Sequence, residues 1–225
     1  PFTAGGVIGL YYNKLMSKLE TSEIEKKKWR DRITGEVKLA VKVQENFLPK
    51  RNLDNYPVHG INLAAREVSG DFFSFYPHNE SVYFIIADVA GKGIHAGMVM
   101  AKASTLFEIM SRDKVDVDEM AFHMNNDLHL TKTGGMFVTS IIGNYNIITD
   151  EISWVNAGHQ PAIIRDNKGN FEEFESKSPP LGVIKQGTKS NYFVNKSKLN
   201  GHRFYAFTDG SVSYTHLRAH ETLTD

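Results

Sequence analysis

The sequence predicts an α+β fold of antiparallel sheets, led in by one long helix. Three observations predict it. From about Leu10 to Leu48 there is no proline, and the stretch is rich in Lys, Glu, Leu and Ile. Beyond it, short apolar runs are separated by turn residues. The order is strands, two helices, then a run of hairpins, which argues against a doubly wound parallel sheet.

The leading helix comes first. Ile33, Val37, Ala40, Gln44 and Phe47 recur at alternating spacings of four and three, a short heptad stretch. Upstream, Lys26 and Arg30 put charge at seam positions. The segment therefore carries either a weak coiled-coil seam or an amphipathic face packed on the domain. Its start, "GGVIGLYYNKLMSK", is flanked by Lys14 and Lys18. That reads either as the end of a membrane segment lying upstream or as an ordinary helix start. "LPKRNLDNYP" closes the helix with Pro49 and a polar loop.

The period then changes. "INLAAREV" and "FFSFYP" read as strands, and "SVYFIIADV" as a buried strand. Gly91 and Gly93 precede a helix from Ile94 to Arg112. A second helix runs from Asp116 to Thr131, with Val117, Met120, Met124 and Leu128 on one face. Strands return in "MFVTSIIGNYNIIT", "EISWVNA", "PAIIRD", "FEEFES", "NYFVNK" and "HRFYAFTD". The turns at Thr149-Asp150, Asn167-Lys168-Gly169-Asn170 and Asn200-Gly201 have hairpin chemistry. From Ser213 onward the pattern fits neither strand nor helix, and it reads as a non-native tail. The expected organisation is a linker helix over 1–50, a globular domain over 51–212 and the tail over 213–225.

Composition excludes several functions. Lys and Arg total 26 and so do Asp and Glu, so no broad basic field points to nucleic acid. The absence of cysteine removes disulfides, thiol nucleophiles and cysteine zinc sites, and fits a cytoplasmic setting. "AGKG" is not a phosphate-binding P-loop, because Gly93 follows Lys92 where Ser or Thr is needed. There is no G-x-S-x-G elbow for a serine nucleophile. His123 and His129, on a predicted helix, read as surface or packing residues. His216 and His220 are four apart in the tail, without the acidic partner of a zinc-protease helix.

What remains is a set of aspartates. Asp88 ends "VYFIIAD", Asp209 ends "RFYAFTD", and Asp71 precedes "FFSFY". A carboxylate at the end of a buried strand is costly unless something pairs with it. Strands that deliver aspartates to their ends, followed by glycine turns, can build a hard-cation site of oxygen ligands. A cation would offset the mutual repulsion of clustered carboxylates. The same residues could instead cap turns or helices.

Seven motifs in order resemble one family. "VQENFLP", "EVSGDFFSFY", "ADVAGKGIHAGMVMA", "GMFVTSIIGNYN", "WVNAGHQPAIIR", "PPLGV" and "FTDGSV" are similar to the signatures of the bacterial sporulation-stage-II-E/sigma-B-regulator branch of the metal-dependent (type 2C-like, PPM) serine/threonine phosphatases. The resemblance spans about Val41 to Val212. It implies a sandwich of two packed, mainly antiparallel sheets flanked by helices (αββα). It also implies two Mn²⁺ or Mg²⁺ ions. Asp88 would bridge them, the backbone carbonyl of Val89 would complete one shell, Asp71 would sit beside that ion, and Asp209 would bind the other. Two such metals lower the pKa of a shared water, which attacks the phosphorus of a phosphoserine or phosphothreonine. No protein nucleophile is needed. The implied substrate is a phosphoprotein of the anti-sigma-factor-antagonist type. The leading helix would connect to an upstream sensor domain, in a parent protein that could be membrane-anchored, and could pair as a homodimer.

The chain departs from the pattern at three places. Ser69 replaces a usual glycine, and His95 stands where proline is common. The family's further acidic metal ligand, well after "TDG", has only Asp225 as a counterpart, so the domain reads as C-terminally truncated. The alternative function is accordingly a pseudophosphatase or non-catalytic signalling module. "NAGHQP" and "PPLG" read as structural turns, and Lys92 as a solvated loop lysine.

Overall fold

The computed structural model describes residues 4–45, 47, 49, 53, 56–61, 69–131 and 135–208, with side chains of the leading helix described from Tyr12 to Gln44. The chain divides into two compact units, Pro1–Lys42 and Val43–Asp225. The first is a single helix. α1 runs Ala4–Glu45, so it begins before the proline-free stretch marked from Leu10 and ends ahead of Pro49. Tyr12, Leu15, Leu19, Trp29 and Ile33 are exposed on it. No described helix is long and apolar enough to cross a membrane.

The second unit holds the sheets. β1 (Phe72–His78), β2 (Ser81–Val89), α2 (Ile94–Arg112), α3 (Val117–Leu130), β3 (Val138–Asn146), β4 (Glu151–Ala157), β5 (Ala162–Arg165), β6 (Phe171–Phe174), β7 (Val194–Lys198) and β8 (Arg203–Tyr205) follow in order. Each lies on a segment the sequence pattern marked. The strand expected at "INLAAREV" falls outside the described residues except for Ile61, as do Asp209, His216, His220 and the tail. Asp150 and Asn200 take positive φ of 60° and 53°, as their hairpin turns require.

The strands form two antiparallel sheets. One has the order β1-β2-β3-β4-β7 and the other β6-β5-β8. Alternation along each strand then creates two cores. Tyr83, Ile85, Ala87 and Val89 of β2 pack with Met100, Ala103 and Phe107 of α2 and Met120, Met124 and Leu128 of α3. Phe84 and Ile86 face the other way, towards Ile141, Trp154, Ile164 and Phe204 between the sheets. Helix layer, large sheet and small sheet are therefore stacked, which is the sandwich expected, with its described helices on one side.

Two details fix the layers. Gly143 lies opposite both Phe84 and Trp154 in the strand register. A Cβ there would stand 2.2 Å from the Phe84 Cζ, so the aromatic packing between the sheets occupies the room a side chain would need. On the other side, the fully buried Asn125 of α3 donates to the Ile184 carbonyl and accepts from the Gly182 N–H. Asn126 donates to the Gln186 carbonyl and accepts from the Gln186 N–H. Those four bonds hold the loop after Leu181 on the helix.

Candidate metal centre

The site grows out of the β1–β2 register. Phe72 faces Ala87, so Asp71 and Asp88 are the next residues outward on two paired chains. β2 is flanked by β1 and β3, and Asp88 faces Thr139 on β3. Phe84 and Ile86 point into the inter-sheet core. Strand alternation puts Asp88, two residues further on, on that same side. Extended back from Phe75 through Phe73, it brings Asp71 there too. Ile141 points between the sheets as well, and Thr139 precedes it by two. Asp71, Asp88 and Thr139 thus form a short polar row at one end of the inter-sheet face.

Backbone approach completes the geometry. Gly70 is buried. A Cβ built on it would stand 2.7 Å from the Val89 carbonyl oxygen, so a side chain would fill the space beside that oxygen. The oxygen donors assembled here are two carboxylates and one backbone carbonyl. Hard cations such as Mn²⁺ and Mg²⁺ prefer such a set, and softer metals do not. Among the described residues no group of three or more His, Cys, Asp or Glu could hold a metal. The third carboxylate of the expected set, Asp209, lies outside them. The residues present fit the implied ions as far as they go.

The glycine loop between β2 and α2 has positive φ at Gly91 (133°) and Gly93 (76°), a backbone open to glycine at no steric cost. The Ala90 N–H donates to the Phe137 carbonyl at 2.8 Å, tying the loop to the entry of β3. Beside it opens a groove of about 400 Å³, lined by His129, Leu130, Met136, Phe137, Gly182 and Val183. Lys92 is exposed, as expected of a solvated loop lysine.

The departure at Ser69 has a structural answer. Ser69 is not among the described non-glycine residues with positive φ, so glycine's freedom is not needed there. Its hydroxyl accepts the Asp71 N–H at 3.0 Å, a bond glycine could not supply.

Sequence reasoning passed over three residues near the aspartates. The Thr139 hydroxyl lies 2.8 Å from the Nδ1 of buried His159. Asn156 holds that histidine's turn, accepting the His159 N–H at 2.8 Å and donating to the Gln160 carbonyl at 2.9 Å. "NAGHQP" is thus the structural turn expected, but it also carries a histidine to within one residue of the Asp88 row. Thr139 closes the "MFVT" motif and His159 lies in "NAGH", so motif membership was the available signal. The third residue, Gln44, binds Ser69 across 25 positions, which no local pattern could reveal. His123 lies 3.7 Å from Glu119, and His129 contacts the Gly182 carbonyl at 3.3 Å.

A family model described as Stage II sporulation protein E (SpoIIE) matches residues 78–221. The chain is 26% identical over 181 residues to phosphoserine phosphatase RsbU of Bacillus subtilis, covering 79% of this chain and 53% of RsbU. It is 29% identical over 191 residues to phosphoserine phosphatase RsbP of the same organism, covering 80% of this chain and 46% of RsbP. The chain therefore spans about half the length of these curated relatives. Among solved structures, the SiaA-PP2C domain of Pseudomonas aeruginosa superposes with a TM-score of 0.65 at 15% identity, covering 80% of this chain and 73% of that one.

Proposed function

The chain belongs to the stage II sporulation protein E (SpoIIE) family, and from that premise we propose that it is a metal-dependent protein serine/threonine phosphatase. Asp71, Asp88, the Val89 carbonyl and Asp209 would hold two ions, Mn²⁺ or Mg²⁺. Phosphatases of this class depend on metal in general. When bound, the ions supply an activated water and neutralise charge on the phosphoryl group. The protein's own part is placement. β2, paired on both sides, delivers Asp88, and Gly70 leaves room beside the Val89 carbonyl.

The observation that carries this reading is the register of β1 on β2. It sets Asp71 and Asp88 side by side, with the Val89 carbonyl next to Gly70. The proposed substrate is a phosphoserine or phosphothreonine on a regulatory protein of the anti-sigma-factor-antagonist type. Relatives named phosphoserine phosphatase support that class of reaction. We assign the leading helix to coupling with an upstream sensor domain. Its exposed Leu15, Leu19, Trp29 and Ile33 support pairing as a homodimer. The domain would work in the cytoplasm, attached to a membrane-anchored or soluble parent. A pseudophosphatase is the less favoured reading, since RsbU and RsbP are each named phosphoserine phosphatase.

The test is hydrolysis of a phosphoserine peptide at varied Mn²⁺ by this chain, by Asp88→Ala and by Asp209→Ala. The expected result is metal-dependent release of phosphate that Asp88→Ala reduces to the level of the metal-free control. Equal activity with and without metal, or an unaffected Asp88→Ala, overturns the reading.

A further inference from the structure

Both heteroatoms of the Gln44 side-chain amide bond to one residue. Its Nε2 donates to the Ser69 carbonyl, and its Oε1 accepts the Ser69 N–H at 3.1 Å. Both residues lie in the second compact unit. Ser69 precedes the β1–β2 ladder, which begins at Phe72, so strand pairing does not satisfy its backbone. Gln44 fills that role as a neighbouring strand would, offering one donor and one acceptor side by side. Gln44 in turn sits at the end of α1, where its own carbonyl accepts the Phe47 N–H at 2.9 Å.

The restraint passes on at once. The Ser69 hydroxyl accepts the Asp71 N–H, and Gly70 between them lies against Val89. Three consecutive residues are thus pinned, at Ser69 by Gln44, at Gly70 by Val89 and at Asp71 by Ser69. Asp71 begins outside the sheet, and a carboxylate on a free loop would have to be ordered each time it bound a cation. That ordering cost is removed when the loop is already fixed.

We propose that Gln44 is a positioning residue for the metal centre, setting the place of Asp71 relative to Asp88 and Val89 through Ser69. The proposal rests on the metal-site reading above. Residues that orient metal ligands typically contribute ~10–100-fold to metal affinity. Gln44→Met keeps the length and bulk of the side chain and loses both hydrogen bonds. Gln44→Glu keeps the acceptor for the Ser69 N–H and loses the donor.

Two measurements on the full chain test it. The first is amide hydrogen exchange at Ser69 and Asp71 in metal-free protein. The second is Mn²⁺ binding followed by electron paramagnetic resonance, with Asp71→Asn as reference and unfolding midpoints as a control on folding. Gln44→Met is expected to speed exchange at both amides and to raise the Mn²⁺ half-saturation by ~10–100-fold. It should leave the turnover at saturating Mn²⁺ near that of the parent, with Gln44→Glu falling between the two. Mn²⁺ binding by Gln44→Met equal to that of the parent, while Asp71→Asn is weakened, overturns the proposal and leaves the metal-site reading intact. Faster exchange in Gln44→Met with an unaffected Asp71→Asn sinks the metal-site reading instead, while the restraint on the loop stands. If Gln44→Met does not fold, Gln44→Glu decides by the same two readouts.

Discussion

Gly70 and Val89 meet backbone to backbone: a Cβ on Gly70 would lie 2.7 Å from the Val89 oxygen and 3.1 Å from the Val89 Cβ. Neither neighbour is the movable end of a long side chain. Gly70→Ala must therefore displace the loop or the end of β2. The expected loss of stability is about 1–3 kcal/mol. The Mn²⁺ requirement for phosphopeptide hydrolysis should rise with it, because the displaced atom is the proposed ligand. A titration of activity against Mn²⁺, beside a urea unfolding curve, checks both. A Gly70→Ala protein with the parent's metal requirement would separate Val89 from the site.

Thr139 and His159 share a 2.8 Å hydrogen bond next to Asp88. The Thr139 hydroxyl also approaches the Asp88 carbonyl, but at 3.5 Å that contact is at the limit of a hydrogen bond. Thr139→Val is close in shape and removes the hydroxyl from a partly buried position. It is expected to cost about 1–3 kcal/mol, whereas Thr139→Ser should keep most of the bond. Denaturant midpoints for the pair of variants give the answer, and equal midpoints would mean that the hydroxyl contributes nothing.

Gly143 bears on the sandwich itself. Because Phe84 already occupies the space above it, Gly143→Val would push the ring into Phe204, whose centroid is 5.5 Å from that of Phe84. Overpacking of this kind costs about 1–3 kcal/mol, and more where nothing can yield. Trp154 lies in the same cluster, 5.1 Å from Phe204, so its fluorescence should report the disturbance along with the unfolding midpoint. An unchanged spectrum and midpoint would argue against this packing.

Alkaline pH should weaken the fold through Tyr145. Its hydroxyl donates to the Asp150 Oδ1 at 2.9 Å. Burial first, then that hydrogen bond and the charge of Asp150, push it up to about 12. An unfolded tyrosine titrates near 10. Between those values the folded chain keeps a proton that the unfolded chain has lost. The stabilisation is therefore complete below pH ~10 and is lost as pH rises to ~12. Tyr192, raised by burial, acts in the same direction. Thermal unfolding midpoints from pH 8 to 12 should fall in the upper half of that range, and less steeply in Tyr145→Phe. Parallel curves would remove Tyr145 from the account.

What could be read in the sequence was whatever a local period or turn encodes. "SVYFIIADV" is apolar enough to be a central strand, and Asp88 stands out because it breaks that run at its end. α2 begins where the two glycines stop. Strand pairing was a different matter. β7 returns to β4 after β5 and β6 have left for the second sheet, and nothing in "NYFVNK" announces that partner. The same holds for side chains that act at a distance. Gln44 looked like a seam position because its spacing fits a heptad, yet it faces Ser69. His159 looked like part of a turn, and it is, but the turn's place beside Thr139 follows only from packing of the sheet ends.

The loop after Leu181 is fixed from two sides. Four hydrogen bonds tie it to Asn125 and Asn126, and two more join Leu181 to Val138 at 2.9 and 2.8 Å. With a net contribution of about 1 kcal/mol each, lifting this segment would cost several kcal/mol before any partner arrived. It is built as a wall, unsuited to serve as a lid. Gly182 and Val183 line the groove beside Met136, so that face of it is shaped in advance.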